Sequence, residues 1–485
     1  MIIQAHTGPD AATIYAALTS QFKRPLRVAE LVYEAAERFP GLVPTRAQID
    51  AERAVKQKDK VGLEVAQGDF IARVLADPRC GCHLIHSMSQ PRAEALAALD
   101  QFRHRGILDL GPVRLDRQGS LGLVTIQNHA CLNADDDDSV RAMEIAVDLV
   151  LLDDSIDVGV LRGGPATHPK HVGRRIFGSG INLTCLYDGK ISFVEFMVES
   201  QLGPVSKMYR GHSVGMCDGE SPEGHREKPW IAAVEGFAIG GACQLLLVMD
   251  WVIAEPGSYF SLPARQEGII PGCANLRLPR LVGERLARQA IFFNRVFEAH
   301  TPEGRLIADE VVPAHGIAAA IDRSAAQLTS AGAASLLANR SALRAAQEPL
   351  DRFRRYMSTY SAEQARCLYS PALIENLERN WKHARPRDAL HAISFRCVLT
   401  GGMAPPGVTA ARGRVGVCNG LGPKASVALE GPDGGVPGPG EQHRGDGAPH
   451  PLTRISSSTR FGFDAVTQMD PSCVRCDAWF SESRR

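Results

Sequence analysis

Apolar residues recur every three to four positions in RVAELVYEAAERF (27–39), GDFIARVLAD (68–77) and ALAALDQF (95–102), with breaks at FPGLVP and SQPR. This spacing predicts amphipathic helices, so residues 1–112 are expected to form a helical region. At VRLDRQGSLGLVTIQN (113–128) the period drops to two around a glycine turn, as in a hairpin. A helix, SVRAMEIAVDLVLL, and a strand, VGVLRGG, follow; KPWIAAVEG and DWVIAE are further strands. Strands alternating with helices predict an α/β core over 113–325. Helical periodicity returns in 326–385, at Ala333 to Gln347 and Phe353 to Tyr369. The last segment, 386–485, is crowded with glycine and proline and has no period, a composition that cannot bury enough apolar surface to offset chain entropy. Disorder is expected there.

A length of 485 residues favours several regions over one core. Lysine plus arginine and aspartate plus glutamate both total 54, which gives no bulk electrostatic case for nucleic acid or an anionic membrane. A small-molecule partner is expected. The N-terminus lacks a basic stretch followed by an apolar block, and no window approaches the roughly 18 apolar residues of a membrane helix. A cytoplasmic protein is the expectation. The twelve cysteines are scattered; the close pairs Cys80/Cys82 and Cys473/Cys476 lack a second ligand pair for zinc, so reduced thiols and no metal site are expected.

Two glycine turns carry the candidate chemistry. In VEGFAIGGACQLLLVMD (234–250) a strand turns through Gly240-Gly241 into an apolar helix that contains one amide, Gln244. In RRIFGSGINL (174–183) a second strand-like pair precedes Gly178-Ser179-Gly180 and Ile181. A helix start leaves backbone N–H groups without internal partners, and glycine lets a ligand approach the backbone closely. Two such turns could hold one oxyanion between them; the alternative is that the glycines serve only tight helix–strand packing.

These turns, together with YFSLPARQEGIIPGCANLRLPRLVG (259–283), LNADDDD and FPGLVPTRAQIDAER, resemble the crotonase (enoyl-CoA hydratase/isomerase) superfamily to about residue 383. The resemblance implies a spiral ββα core whose Ile181 and Gly241 amides hold a thioester oxygen as an enolate forms. Enoyl-CoA hydratases place catalytic glutamates where this chain has Gln244 and Ala264. An amide does not take up a proton near neutrality and alanine has no donor or acceptor, so hydration by two carboxylates is not expected.

The fuller resemblance is to the cofactor-independent dioxygenase branch of that superfamily, which belongs to antibiotic biosynthesis. It implies oxidation of an arylacetyl-CoA thioester, such as (3,5-dihydroxyphenyl)acetyl-CoA, by molecular oxygen to an arylglyoxylate and free coenzyme A, without metal or flavin. It also implies substrate contacts at Asp135, Gln244 and Ser200, an oxygen pocket at Ile269 and Leu377, and a homo-oligomer, trimer or hexamer. Where that branch carries two arginines this chain has Glu199 and Ser200, and Asp135 replaces a glutamate. HPKHVGRR, with Lys170, Arg174 and Arg175, is the basic cluster best placed for coenzyme A phosphates; its alternative is a solvated loop. A thioesterase or isomerase using Asp135 or Glu267 as base is the alternative activity, and a non-catalytic acyl-CoA binder is a third.

Overall fold

Residues 10–213 and 225–381 are described in a computed structural model of the chain. The tail expected to be disordered and the Cys473/Cys476 pair lie outside them. Six helices open the described chain: α1 Ala11–Leu18, α2 Val28–Arg38, α3 Arg46–Glu52, α4 Glu64–Ala76, α5 Pro78–Met88 and α6 Ala93–Arg105. Their starts follow from the sequence. Thr45 caps α3 with a capping box through Gln48, and Asp77 caps α5, which has proline in its first turn. Helix α1 precedes the segments whose periodicity is clearest, and α3 and α5 lie between them.

The predicted hairpin is β2 Val113–Gln118 and β3 Leu121–Ile126, extended at its edge by β1 Ile107–Asp109. The sheet therefore begins a few residues ahead of the expected start at 113. Helix α7 Asp137–Leu152 and β4 Val158–Gly163 follow, then α8 Leu183–Tyr187, α9 Ser206–Arg210, and the short pair β5 His212–Ser213 and β6 His225–Arg226. The glycine-turn segment consists of β7 Trp230–Val234, β8 Phe237–Ile239 and α10 Gly241–Leu246. After it come β9 Trp251–Ala254, β10 Tyr259–Ser261, α11 Ala264–Glu267, α12 Ala274–Phe293, β11 Phe297–Glu298 and β12 Glu310–Val311. Four helices close the described chain: α13 Ile317–Thr329, α14 Ala333–Gln347, α15 Leu350–Cys367 and α16 Pro371–Asn380.

The main sheet runs in the order β1-β2-β3-β4-β7-β9-β12, antiparallel up to β3 and parallel from β3 onward. Both faces are buried, and β7 shows how. Trp230, Ala232 and Val234 pack with α7 and α12, whereas Ile231 and Ala233 face α13. A second sheet, β11-β10-β8, sets β8 parallel to β10. A separate apolar cluster joins the two ends of the described chain: Tyr15, Leu31, Phe70 and Leu84 meet Phe353, Met357, Leu373 and Trp381 in it. The helical regions expected at either end of the core thus pack on each other. No helix among the described residues is long and apolar enough to cross a membrane.

Candidate active site

Three stretches of backbone lie side by side at the ends of the strands. Residues 177 and 178 run along the approach to and start of β8: Phe177 N–H donates to Glu235 O (3.0 Å), Gly178 N–H to Phe237 O (3.1 Å), and Ile239 N–H back to Gly178 O (3.0 Å). On the other side, Asp135 N–H donates to Gly180 O (2.7 Å) and Asn182 N–H to Asp135 O (2.7 Å). Both bonds of that bridge belong to Asp135 and its neighbours across it, so the Ile181 N–H takes no part in it. Gly240 has φ 55° and Gly180 φ 77°, conformations that side chains rarely allow. A Cβ on Gly180 would lie 2.7 Å from Ile239 O and 3.1 Å from the Gly241 nitrogen. The two glycine turns therefore touch. Helix α10 is only six residues long, so what it offers at Gly241 is a local N–H rather than a long-helix dipole.

Ile181, Gly240 and Gly241 line one cavity together with Asp135, Gln244, Ser200, Ala264, Glu267 and Ile269. It encloses about 750 Å³, counting its open mouth, and its remaining wall is largely Val140, Met143, Phe196, Met197, Ile270 and Tyr360. No lysine, arginine or histidine lines it among the described residues.

The run of four aspartates divides by role. Asp136 caps α7 by accepting from Ser139 N–H (3.2 Å); Asp137 pairs with Arg53 (2.9 Å) and Ser192; Asp138 is exposed. Asp135 alone of the four reaches the cavity, where its Oδ2 lies 3.6 Å from the position of a Cβ on Gly241. Burial, with help from the Asp136 charge and against a bond from Ser139, pushes the Asp135 carboxyl up to about 7. Burial alone pushes Glu267 up to about 7.

Gln244 is fixed from behind: its Oε1 accepts from Cys273 N–H (2.9 Å), which leaves its NH₂ group as the end that faces the cavity. Gln201, which sequence reasoning missed, does the same. Its Oε1 accepts from Cys273 N–H (3.1 Å) and its Nε2 donates to Ser200 Oγ (2.9 Å). Tyr360, also missed, comes from α15, far along the chain. Glu199 and Ser200 part company. Ser200 lines the cavity, whereas Glu199 points away to Arg92 (3.4 Å) and Arg27 (3.6 Å).

Four predicted positions fall elsewhere. Leu377 is 1% exposed in the apolar cluster of the terminal helices and does not line the cavity. An inward-facing leucine on α16 looks the same in sequence whichever apolar space it enters. Lys170, Arg174 and Arg175 stand on the loop between β4 and the first glycine turn, outside the cavity wall. Lys170 is exposed, Arg174 meets Glu255 at 3.3 Å, and Arg175 donates to Gly163 O (3.1 Å).

The enoyl-CoA hydratase/isomerase family profile matches residues 224–364. A (3,5-dihydroxyphenyl)acetyl-CoA 1,2-dioxygenase of Amycolatopsis orientalis is 44% identical over 372 residues, which cover 77% of this chain and 83% of that protein. A short-chain-enoyl-CoA hydratase of Clostridium acetobutylicum is 30% identical over 186 residues, 38% of this chain and 62% of that protein. Among solved structures, an enoyl-CoA hydratase/isomerase from Xanthobacter autotrophicus Py2 superimposes with a TM-score of 0.47 at 20% identity, over 57% of this chain and 94% of that one.

Proposed function

The chain belongs to the enoyl-CoA hydratase/isomerase (crotonase) family, and from that premise we propose that it is a dioxygenase of arylacetyl-CoA thioesters that works without metal or flavin. One observation carries this reading beyond the family. The two glycine turns share a cavity lined by an amide, Gln244, and a methyl group, Ala264, at the positions where the family resemblance would put the hydratase carboxylates. Such a site is equipped to stabilise an enolate and not to add water with the usual acid–base pair.

In the proposed reaction the thioester oxygen lies against the Ile181 and Gly241 amides. Loss of an α-proton places negative charge on that oxygen, where preorganised donors are worth most. Molecular oxygen, small and uncharged, occupies the apolar wall around Ile269 and takes up the carbanion carbon. The resulting peroxide attacks the thioester carbon and expels the coenzyme A thiolate; loss of the second α-proton as the O–O bond breaks turns the α-carbon into the ketone of an arylglyoxylate, and coenzyme A leaves as the thiol. Gln244 offers its NH₂ group to a ring oxygen. Ser200 gives a shorter, neutral contact where an arginine would supply a multi-donor cation. The basic loop of Lys170, Arg174 and Arg175 is the proposed contact for the coenzyme A phosphates, in a cytoplasmic homo-oligomer serving antibiotic biosynthesis.

An oxygen electrode and a thiol assay test this together. With (3,5-dihydroxyphenyl)acetyl-CoA, or its mono- or unhydroxylated analogues, metal- and flavin-free protein should consume one oxygen for each coenzyme A released. Coenzyme A release without oxygen uptake would instead support the second reading as a thioesterase, and a rearranged thioester with neither oxygen uptake nor thiol release would support it as an isomerase. That reading is favoured by the two carboxyls, Asp135 and Glu267, in one cavity.

A further inference from the structure

Asp135 and Glu267 both line the cavity, but they are differently committed. Asp135 is bonded through its backbone to Gly180 and Asn182, receives a weak bond from Ser139 Oγ (3.4 Å), and holds its carboxyl beside Gly241. A carboxylate at that point would face the oxygen on which charge must develop, and like charges at short range in a dry site oppose each other strongly. Asp135 is therefore poorly placed to be ionised when the enolate forms.

Glu267 stands apart from the glycine turns. It ends α11, three residues after Ala264, and the two share a helix face because residues at that spacing are neighbours; both line the cavity. Glu267 is 5% exposed, and among the described residues no cation or hydrogen-bond donor meets its carboxyl. A buried carboxyl without a partner is costly to keep, and one opening into a ligand cavity has a use there. The carboxylate missing at Ala264 thus reappears one helical turn later.

Resting on the enolate chemistry proposed above, we propose that Glu267 is the base that removes the α-proton of the bound arylacetyl thioester. The Cα–H bond breaks and its proton goes to a Glu267 oxygen. The electron pair becomes the enolate, whose charge rests on the oxygen facing Ile181 and Gly241. Without oxygen the proton exchanges with solvent and returns to carbon; with oxygen it is available to the departing coenzyme A thiolate.

Anaerobic exchange isolates this step from oxygenation. Protein and (3,5-dihydroxyphenyl)acetyl-CoA are incubated in deuterated buffer without oxygen, and uptake of deuterium at Cα is followed by mass spectrometry. The parent protein should exchange the α-protons, Glu267→Gln should do so at least about 100-fold more slowly, and Glu267→Asp should retain an intermediate rate. Binding, read as the rise in melting temperature with an unreactive thioether analogue, should survive in Glu267→Gln. Exchange by Glu267→Gln at the parent rate overturns the proposal, as does a parent that binds the thioester but does not exchange. Parent exchange without oxygen uptake in air leaves Glu267 as the base and sinks the dioxygenase reading alone. Should Glu267→Gln fail to fold, the Asp variant decides: an unchanged rate and pH profile counts against the proposal, a slowed rate with a displaced profile for it.

Discussion

Glu267 is an acid whose folded environment holds it protonated to about 7, against an ordinary value of 4.5, and burial is the whole cause. The native protein therefore binds more protons than the unfolded chain between those two values. Stability falls as pH rises through that window and stays lower above it. Replacing the carboxyl by an amide removes the penalty. Glu267→Gln is predicted to be more stable than the parent by on the order of 2–3 kcal/mol at pH 8, with the gain vanishing toward pH 4, in urea melts at the two pH values. A gain equal at both values would mean that the side chain does not titrate in place. At this scale the sequence told much. Asp135, Gln244 and Ile269 reach the cavity from segments whose motifs mark them, and Ser200 from a position where the resemblance loses an arginine. Gln201 and Tyr360 were not legible: one sits in a stretch whose period is broken around Gly203 and Pro204, and the other reaches the site only through tertiary packing.

At the scale of elements, the site depends on how closely two loops approach. A side chain at Gly180 would need the left-handed conformation and would press on Ile239 O and Gly241 N together. Gly180→Ala is predicted to lower turnover by about 100-fold, comparable to losing one oxyanion donor, while stability drops by about 1–3 kcal/mol. Steady-state kinetics and thermal melts separate the two effects, and an active Gly180→Ala would show that the turns need not touch. The hairpin was plain from its alternation, α7 from its length and apolar spacing, and β4, β7 and β9 as short apolar runs buried on both faces. The segment from 193 to 205 was not. Wide helical turns interrupted by Gly203, with Pro204 beside it, give no steady spacing, yet this segment supplies Phe196, Met197, Ser200 and Gln201 to the cavity wall.

Across the molecule, α7 connects the cavity to a buried charge network. Val140 and Met143 face the cavity, and Glu144, next to Met143 and one turn after Val140, is fully buried and receives Arg27 (2.8 Å), Arg92 (2.9 Å) and Lys207 (2.8 Å). The Lys207, Arg27 and Arg92 cations hold the Glu144 carboxyl well below the usual carboxylate range despite its burial. Arg27 precedes α2, Arg92 precedes α6 and Lys207 belongs to α9, so one carboxylate ties four helices together. Removing it leaves buried cations with too few partners. Glu144→Gln is predicted to cost about 3–5 kcal/mol in urea unfolding, and a cost below 1 kcal/mol would show that Glu199 and Asp148 suffice. Glu199 takes its share of Arg27 and Arg92, so of the two neighbours Glu199 serves the framework and Ser200 lines the cavity. No charge count along the chain reveals this, since the partners lie more than a hundred residues away in sequence.

The apolar cluster that joins the first and last helices also touches the cavity, through Val140, Phe196, Met197, Ile181 and Ile269. A molecule seated there works as a clasp between the two ends of the described chain. Loading the cavity should thus slow nicking by proteases at both ends together, although neither end carries any of the reacting groups.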